Sequence, residues 1–179
     1  MPGSRAVRCR ADQTWWRGRA ISAKVDSGTQ YGTHTREEYA VSVLDDSTPF
    51  GATVVQRLAD EHVLWLTTIG ADGTPQPNPV WFLWQDETFL IYTMPEAKRL
   101  HHLARNPRVA LNFNSSASGG EVVVFTGTAR VGEAVSDATI ADYSRKYTQG
   151  FVDIKMTEAE FFDTYSVPIH ITPDHLRGF

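Results

Sequence analysis

The chain has 179 residues, 41% of them hydrophobic and 21% charged, with a formal net charge of −4 at pH 7. That is the composition of one globular domain large enough for a core of its own. No run approaches the roughly 18 apolar residues of a membrane span, and the single cysteine, Cys9, excludes an internal disulfide framework or a cysteine-rich metal site.

The charge is uneven along the chain. Residues 1–36 carry seven Lys/Arg against two acids, and from residue 37 onward ten Lys/Arg face nineteen acids. Residues 1–40 have few periodic apolar positions and read as a disordered, basic N-terminal extension, with the folded domain over 41–179. The acidic body argues against nucleic-acid binding. No signal-peptide apolar region follows the start, so the expected setting is cytoplasmic, without membrane attachment.

Thr48-Pro49, followed by Phe50, Val54 and Leu58, predicts a capped helix over 49–60 with one apolar stripe. His62 to Ile69 is rich in β-formers, and Asp72-Gly73 marks a tight turn. Pro75 to Trp84 is expected to return as a strand. Its prolines at 75, 77 and 79 cannot donate to a ladder, so its first half belongs at an edge or bulge. Trp81 and Phe82, adjacent on that strand, face opposite sides; one enters the core, leaving the other to meet a planar ring. After a turn at 85–87, Phe89 to Thr93 forms the next strand.

The segment Thr93-Met94-Pro95-Glu96-Ala97-Lys98-Arg99-Leu100 follows. An apolar strand ends, proline breaks it, and two cations open a helix over 97–105, which stops at Asn106-Pro107. Cations in a first turn are normally unfavourable by about 0.3–1 kcal/mol each. A bound anion would offset them, because the free amides of a helix N-terminus point at it; the alternative is a pair of solvated surface cations. Strands are predicted at Val109–Asn114 and, after a Ser/Gly-rich loop, at Glu121–Glu133, with Gly127 and Gly132 allowing bends. Helices near 136–147 and 157–165 precede a last strand, Val167 to Thr172. Strands clustered in sequence argue for antiparallel β. The expected fold is mainly β, a small barrel with peripheral helices.

Other chemistries find little support. His101 and His102 are adjacent on a helix, about 100° apart, and lack the i, i+4 spacing of paired ligands. His34, His62, His170 and His175 are scattered, and no metal site is expected. There is no Gly-x-Ser-x-Gly elbow, dinucleotide fingerprint or P-loop. Enzymatic activity on this chain therefore calls for a cofactor that carries the reaction.

From about Phe50 to Ile171 the order of motifs resembles the split β-barrel flavin- and deazaflavin-binding family related to pyridoxamine 5′-phosphate oxidase, and within it the actinobacterial oxidoreductases dependent on coenzyme F420. The residues that carry the resemblance are Trp65-Leu66-Thr67-Thr68 with Asp72-Gly73, and Pro77-Asn78-Pro79-Val80-Trp81-Phe82. Tyr92-Thr93, Lys98-Arg99-Leu100, Asn106-Pro107-Arg108-Val109 and Thr126-Gly127-Thr128-Ala129 continue it. The resemblance implies a split β-barrel homodimer with cofactor at the subunit interface. It places Thr93, Lys98 and Arg99 on the cofactor phosphate and Pro79, Val80 and Trp81 along the ring, with Asn78 at the ring's polar edge. Tyr147 and Phe151 are nominated as contributions from the second subunit. For the acidic tail of F420, Arg57, Arg108, Lys146 and Lys155 are available cations. The implied reaction is hydride transfer from the reduced deazaflavin to an electron-poor conjugated or carbonyl substrate, with the proton supplied by solvent or by a nearby hydroxyl, for which Tyr92 and Tyr147 are the candidates. The alternatives are an FMN-dependent oxidase or reductase, or a non-enzymatic flavin or tetrapyrrole carrier; a split-barrel haem-degrading enzyme is a further variant, for which His170 is the position to inspect.

Overall fold

The computed structural model describes residues 42–179. The expected basic extension, Cys9 and His34 lie outside those residues. Within them the order is α1 (Pro49–Asp60), β1 (Val63–Ile69), β2 (Pro75–Trp81), β3 (Leu83–Gln85), β4 (Thr88–Thr93), α2 (Lys98–Arg105), β5 (Arg108–Asn112), β6 (Val123–Val131), α3 (Asp137–Lys146), α4 (Thr148–Asp153), α5 (Glu158–Thr164) and β7 (Val167–Gly178).

All seven strands pair antiparallel in one sheet, ordered β2-β1-β5-β6-β7-β4-β3. The two edge strands, β2 and β3, are separated in sequence by Phe82 alone, so the two edges meet and the sheet curls into a half-barrel. The fold is the mainly β split barrel with peripheral helices. Among the described residues, no helix is long and apolar enough to cross a membrane.

Local signals account for most elements. Thr48 accepts the Gly51 N–H at 3.0 Å, Pro49 opens α1, and the helix buries Gly51, Val54 and Leu58. Along β1, Leu64, Leu66 and Thr68 alternate inward. β2 is an edge strand pairing only with β1. Since Pro75, Pro77 and Pro79 have no N–H, the ladder bonds come from the alternate residues and the prolines face the free edge.

Three expectations need correction. The strand expected over 75–84 is broken at Phe82, whose backbone is claimed by a side chain: the Tyr147 hydroxyl accepts the Phe82 N–H at 2.7 Å and lies 2.8 Å from the Phe82 carbonyl. A helix not anticipated, α4, follows α3 directly, with Tyr147 ending one and opening the other. The last strand runs past Thr172 to Gly178, because a bulge absorbs the irregularity there. Thr126 pairs with His175 and Gly127 with Pro173, leaving Asp174 as the extra residue, held by Arg108 and Thr126. Gly127 is required at this crossing, since a Cβ there would lie 2.4 Å from the Thr172 carbonyl oxygen.

The interior divides into two apolar clusters. One fills the curl of the sheet, with Leu66, Phe82, Phe89, Ile91, Phe125 and Ile171 under α1 and α2. The other lies beneath α3–α5 and gathers Leu90, Tyr143, Tyr147, Phe151 and Phe161, with Trp81, Tyr92 and Tyr165 packed against it. Phe82 and Trp81 go to different clusters, as alternation along a strand requires.

Candidate functional site

The second cluster borders a cavity of about 370 Å³. Its walls are the end of β2 (Pro79, Val80, Trp81), the end of β4 (Tyr92, Thr93), the first turn of α2 (Arg99) and Tyr143 of α3. Val63, Ile154, Phe161 and Tyr165 complete it. The lining is aromatic and apolar with one cation.

That cation stands where an anion is favoured. α2 begins at Lys98; its N-cap, Ala97, offers no side-chain hydrogen bond, and no acidic residue occupies the first turn. The Leu100 N–H turns back to the Ala97 carbonyl at 2.9 Å, and the Lys98 and Arg99 amides are left without a side-chain cap. Arg99 is half-buried, and burial depresses its pKa. Among the described residues it has no ion-pair or hydrogen-bond partner. A partly dehydrated guanidinium beside free helix amides is an arrangement suited to a phosphate or carboxylate. Thr93, which lines the same cavity, ends β4 and is 3% exposed. The helix is latched to β1 by a 2.9 Å hydrogen bond between His102 Nδ1 and the buried Thr68 hydroxyl.

Of the seven residues expected at a cofactor, Pro79, Val80, Trp81, Thr93 and Arg99 line this cavity. Asn78 and Lys98 are exposed and outside the lining, and Asn78 points its amide at the Gln76 carbonyl, 3.4 Å away. Trp81 is committed to its neighbours, stacked on Tyr147 (centroids 4.4 Å apart, planes 4° apart) and on Phe161 (5.3 Å, 20°). Gly150 makes room for it, since a Cβ there would lie 2.8 Å from the indole. Trp81 is thus a fixed wall rather than a free stacking platform.

Tyr147 and Phe151 do not fit a role in a second subunit's site. Both are buried in their own chain, at 1% and 6% exposure. Nor does Tyr147 fit a proton donor: its hydroxyl is shared among the Phe82 N–H and the carbonyls of Phe82 and His62, and burial raises its pKa far above the phenol range. Tyr92 is different. It lines the cavity, and its hydroxyl is buried without a partner among the described residues. Tyr143 shares both properties and escapes a reading of the sequence, which has no signal to separate it from any helical core tyrosine.

The nominated tail cations divide sharply. Arg57 pairs with Glu61 and donates to the carbonyls of Asn114 and Glu121. Arg108 pairs with Asp174. Lys146 donates to the Leu58 carbonyl and sits 3.8 Å over the Phe82 ring. Lys155, exposed beside the cavity residue Ile154, is the one of the four without such engagement among the described residues. His170 does not line the cavity; its buried Nδ1 lies 3.9 Å from Glu133.

A profile of the family described as pyridoxamine 5′-phosphate oxidase matches residues 50–172. A pyridoxine/pyridoxamine 5′-phosphate oxidase from Cupriavidus pinatubonensis is 32% identical over 93 residues, covering 51% of this chain and 44% of that protein. The match therefore spans less than half of that oxidase. Among known structures, the haem storage protein HutZ of Vibrio cholerae superposes with a TM-score of 0.55 at 16% identity, covering 71% of this chain and 92% of HutZ. An F420 reductase superposes with a TM-score of 0.53 at 22% identity, covering 68% and 94% of the two chains. Identities this low establish a common fold alone.

Proposed function

Because the chain belongs to the pyridoxamine 5′-phosphate oxidase family, we propose that it is an F420-dependent reductase, with an FMN-dependent oxidase or reductase as the second reading. The observation that carries a phosphorylated cofactor is Arg99: a half-buried guanidinium without a partner among the described residues, beside an uncapped helix N-terminus, opening on an aromatic cavity. The donor set fits a planar heteroaromatic ring ending in a phosphate. Arg99 and the first amides of α2 would hold the phosphate, with Thr93 beside them, and exposed Lys98 would add field from outside the cavity. Asn78 is assigned to the ring's polar edge, reached by rotation of its exposed side chain.

A bound reduced deazaflavin or flavin supplies a hydride to an electron-poor C=C, C=N or C=O. The chain's own part is positional. Val80 and Trp81 fix the plane of the ring, the aromatic cluster excludes water, and holding two reactants in one orientation lowers the barrier by several kcal/mol. Tyr92 is the hydroxyl at hand for the product's protonation. The reading includes a homodimer with cofactor at the interface: Met94, which follows Thr93, and Ile154, in the cavity wall, are exposed apolar residues of the kind a partner covers.

F420 and FMN share the phosphate, so the anion site serves both. The order of motifs along the sequence supports the deazaflavin, and the fold is one that an F420 reductase shares. The engagement of Arg57, Arg108 and Lys146 within the chain leaves Lys155 alone for an acidic tail, and this favours FMN as the second reading. A carrier role, the third, predicts binding without turnover.

The deciding experiment titrates purified protein with F420 and FMN side by side, with sedimentation of the same samples reporting the dimer. Tighter F420 binding supports the deazaflavin reductase, tighter FMN binding moves the protein to the flavin reading, and binding of neither removes the cofactor assignment. Substituting Lys98 and Arg99 together by Ala should weaken binding by about a hundredfold, the worth of charge-assisted hydrogen bonds to a phosphate. Far-UV circular dichroism should be unchanged.

A further inference from the structure

The cavity wall contains two polar groups that nothing around them satisfies. The hydroxyls of Tyr92 and Tyr143 are both buried, and neither has a hydrogen-bond partner among the described residues. Their rings meet edge to face, with centroids 5.0 Å apart. Tyr143 is 0% exposed. A buried hydroxyl without a partner is costly, and folded proteins rarely keep one that has no use.

The next turn of α3 supplies an internal contrast. Tyr147, four residues on and therefore on the same face of the helix, has its hydroxyl shared among three backbone groups. Tyr143 within α3 and Tyr147 at its C-cap thus differ in what their hydroxyls are for. That of Tyr147 ties Phe82 and His62 together; that of Tyr143 ties nothing, and Tyr143 is a residue of the cavity wall.

We infer that Tyr143, with Tyr92 beside it, is a specificity-determining residue of this cavity: its hydroxyl donates to an acceptor atom, a carbonyl oxygen or a ring nitrogen, on the polar edge of the planar heterocyclic ligand held there. The inference rests on the cavity being the cofactor site proposed above. Burial raises the pKa of both phenols, that of Tyr143 well above its ordinary value, so each keeps its proton and serves as a donor. Neither hydroxyl contacts solvent. A ligand therefore meets them through a small rotation of Tyr92, the less enclosed of the two, and binding replaces two unsatisfied donors with satisfied ones. A site that recognises an acceptor in this way rejects an analogue lacking it more strongly than an apolar wall does.

The test compares wild type with Tyr143→Phe and Tyr147→Phe in two measurements: the melting temperature without ligand, and titration with F420 and with FMN. For Tyr143→Phe the expected result is a melting temperature equal to or above wild type, with about tenfold weaker binding of whichever cofactor the wild type takes. A purely structural tyrosine would lower the melting temperature, as Tyr147→Phe should. Wild-type affinity in Tyr143→Phe overturns the inference and leaves the cofactor site standing. A loss of stability like that of Tyr147→Phe overturns it as well. If the wild type binds neither F420 nor FMN, the proposed cofactor site itself fails, and the inference with it.

Discussion

Tyr147 places one oxygen against three backbone atoms of two segments, 2.7 Å from the Phe82 nitrogen, 2.8 Å from the Phe82 oxygen and 2.7 Å from the His62 oxygen. Phe82 is 0% exposed and stands between β2 and β3, outside both ladders. Deleting the hydroxyl leaves a buried N–H and a buried carbonyl unsatisfied, at about 1–3 kcal/mol each. Tyr147→Phe should therefore lower the urea unfolding free energy by about 3 kcal/mol, a large effect for the loss of one atom. A loss below about 0.5 kcal/mol would mean that water or a rearranged backbone replaces it. At this scale the sequence is only partly legible. Arg99 and Thr93 can be found in it because their places relative to a strand end and a helix start are local facts. Tyr143 cannot, since four-residue spacing makes it and Tyr147 look alike. What separates them is a backbone segment some 65 residues away in sequence, in contact with one hydroxyl and not the other.

Elements governed by short-range chemistry are readable to within a residue or two. Thr48-Pro49 starts α1, and the proline alternation puts β2 at an edge. Elements whose limits depend on distant partners are not. The break at Phe82 needs Tyr147, and the passage of β7 through Pro173 needs the bulge against Gly127. The turn between β3 and β4 falls between these cases. Gln85 pairs with Thr88, so the loop is two residues long, and Asp86 and Glu87 both have positive φ, at 50° and 57°. This is the conformation that two-residue hairpins prefer and that an Asn-Gly pair satisfies best. Here it is occupied by residues for which the left-handed region is unfavourable, Glu87 above all. The double substitution Asp86→Asn with Glu87→Gly should stabilise the protein by about 1 kcal/mol and raise the melting temperature by about 2–4 °C. The cavity lies elsewhere in the fold, so cofactor affinity should not change; an altered affinity would mean that the hairpin reaches the site.

The whole molecule carries a signature of its packing in how its stability responds to alkaline pH. Lys146 is half-buried between α1 and the barrel, its ammonium over the Phe82 ring and donating to the Leu58 carbonyl. Dehydration lowers its pKa from 10.5 to about 8, against the opposing pull of Asp60 and Glu61. The unfolded chain keeps that proton up to about pH 10.5, whereas the folded chain begins to release it near pH 8. Between those values the unfolded state binds more protons, so stability rises with pH. The tyrosines set the upper limit. Tyr92, Tyr143 and Tyr147 all hold their protons above the ordinary phenol pKa of 10.0 when folded, so above that pH the unfolded state ionises first and stability falls again. The urea midpoint should therefore climb from about pH 7.5 to a maximum near about pH 9.5 and then drop. Lys146→Met, which keeps the apolar stem and removes the titrating nitrogen, should flatten the climb and leave the fall. A climb that persists in Lys146→Met would assign it to another group. A midpoint that did not fall above about pH 10 would mean that the three phenols are less enclosed than their packing around the cavity requires.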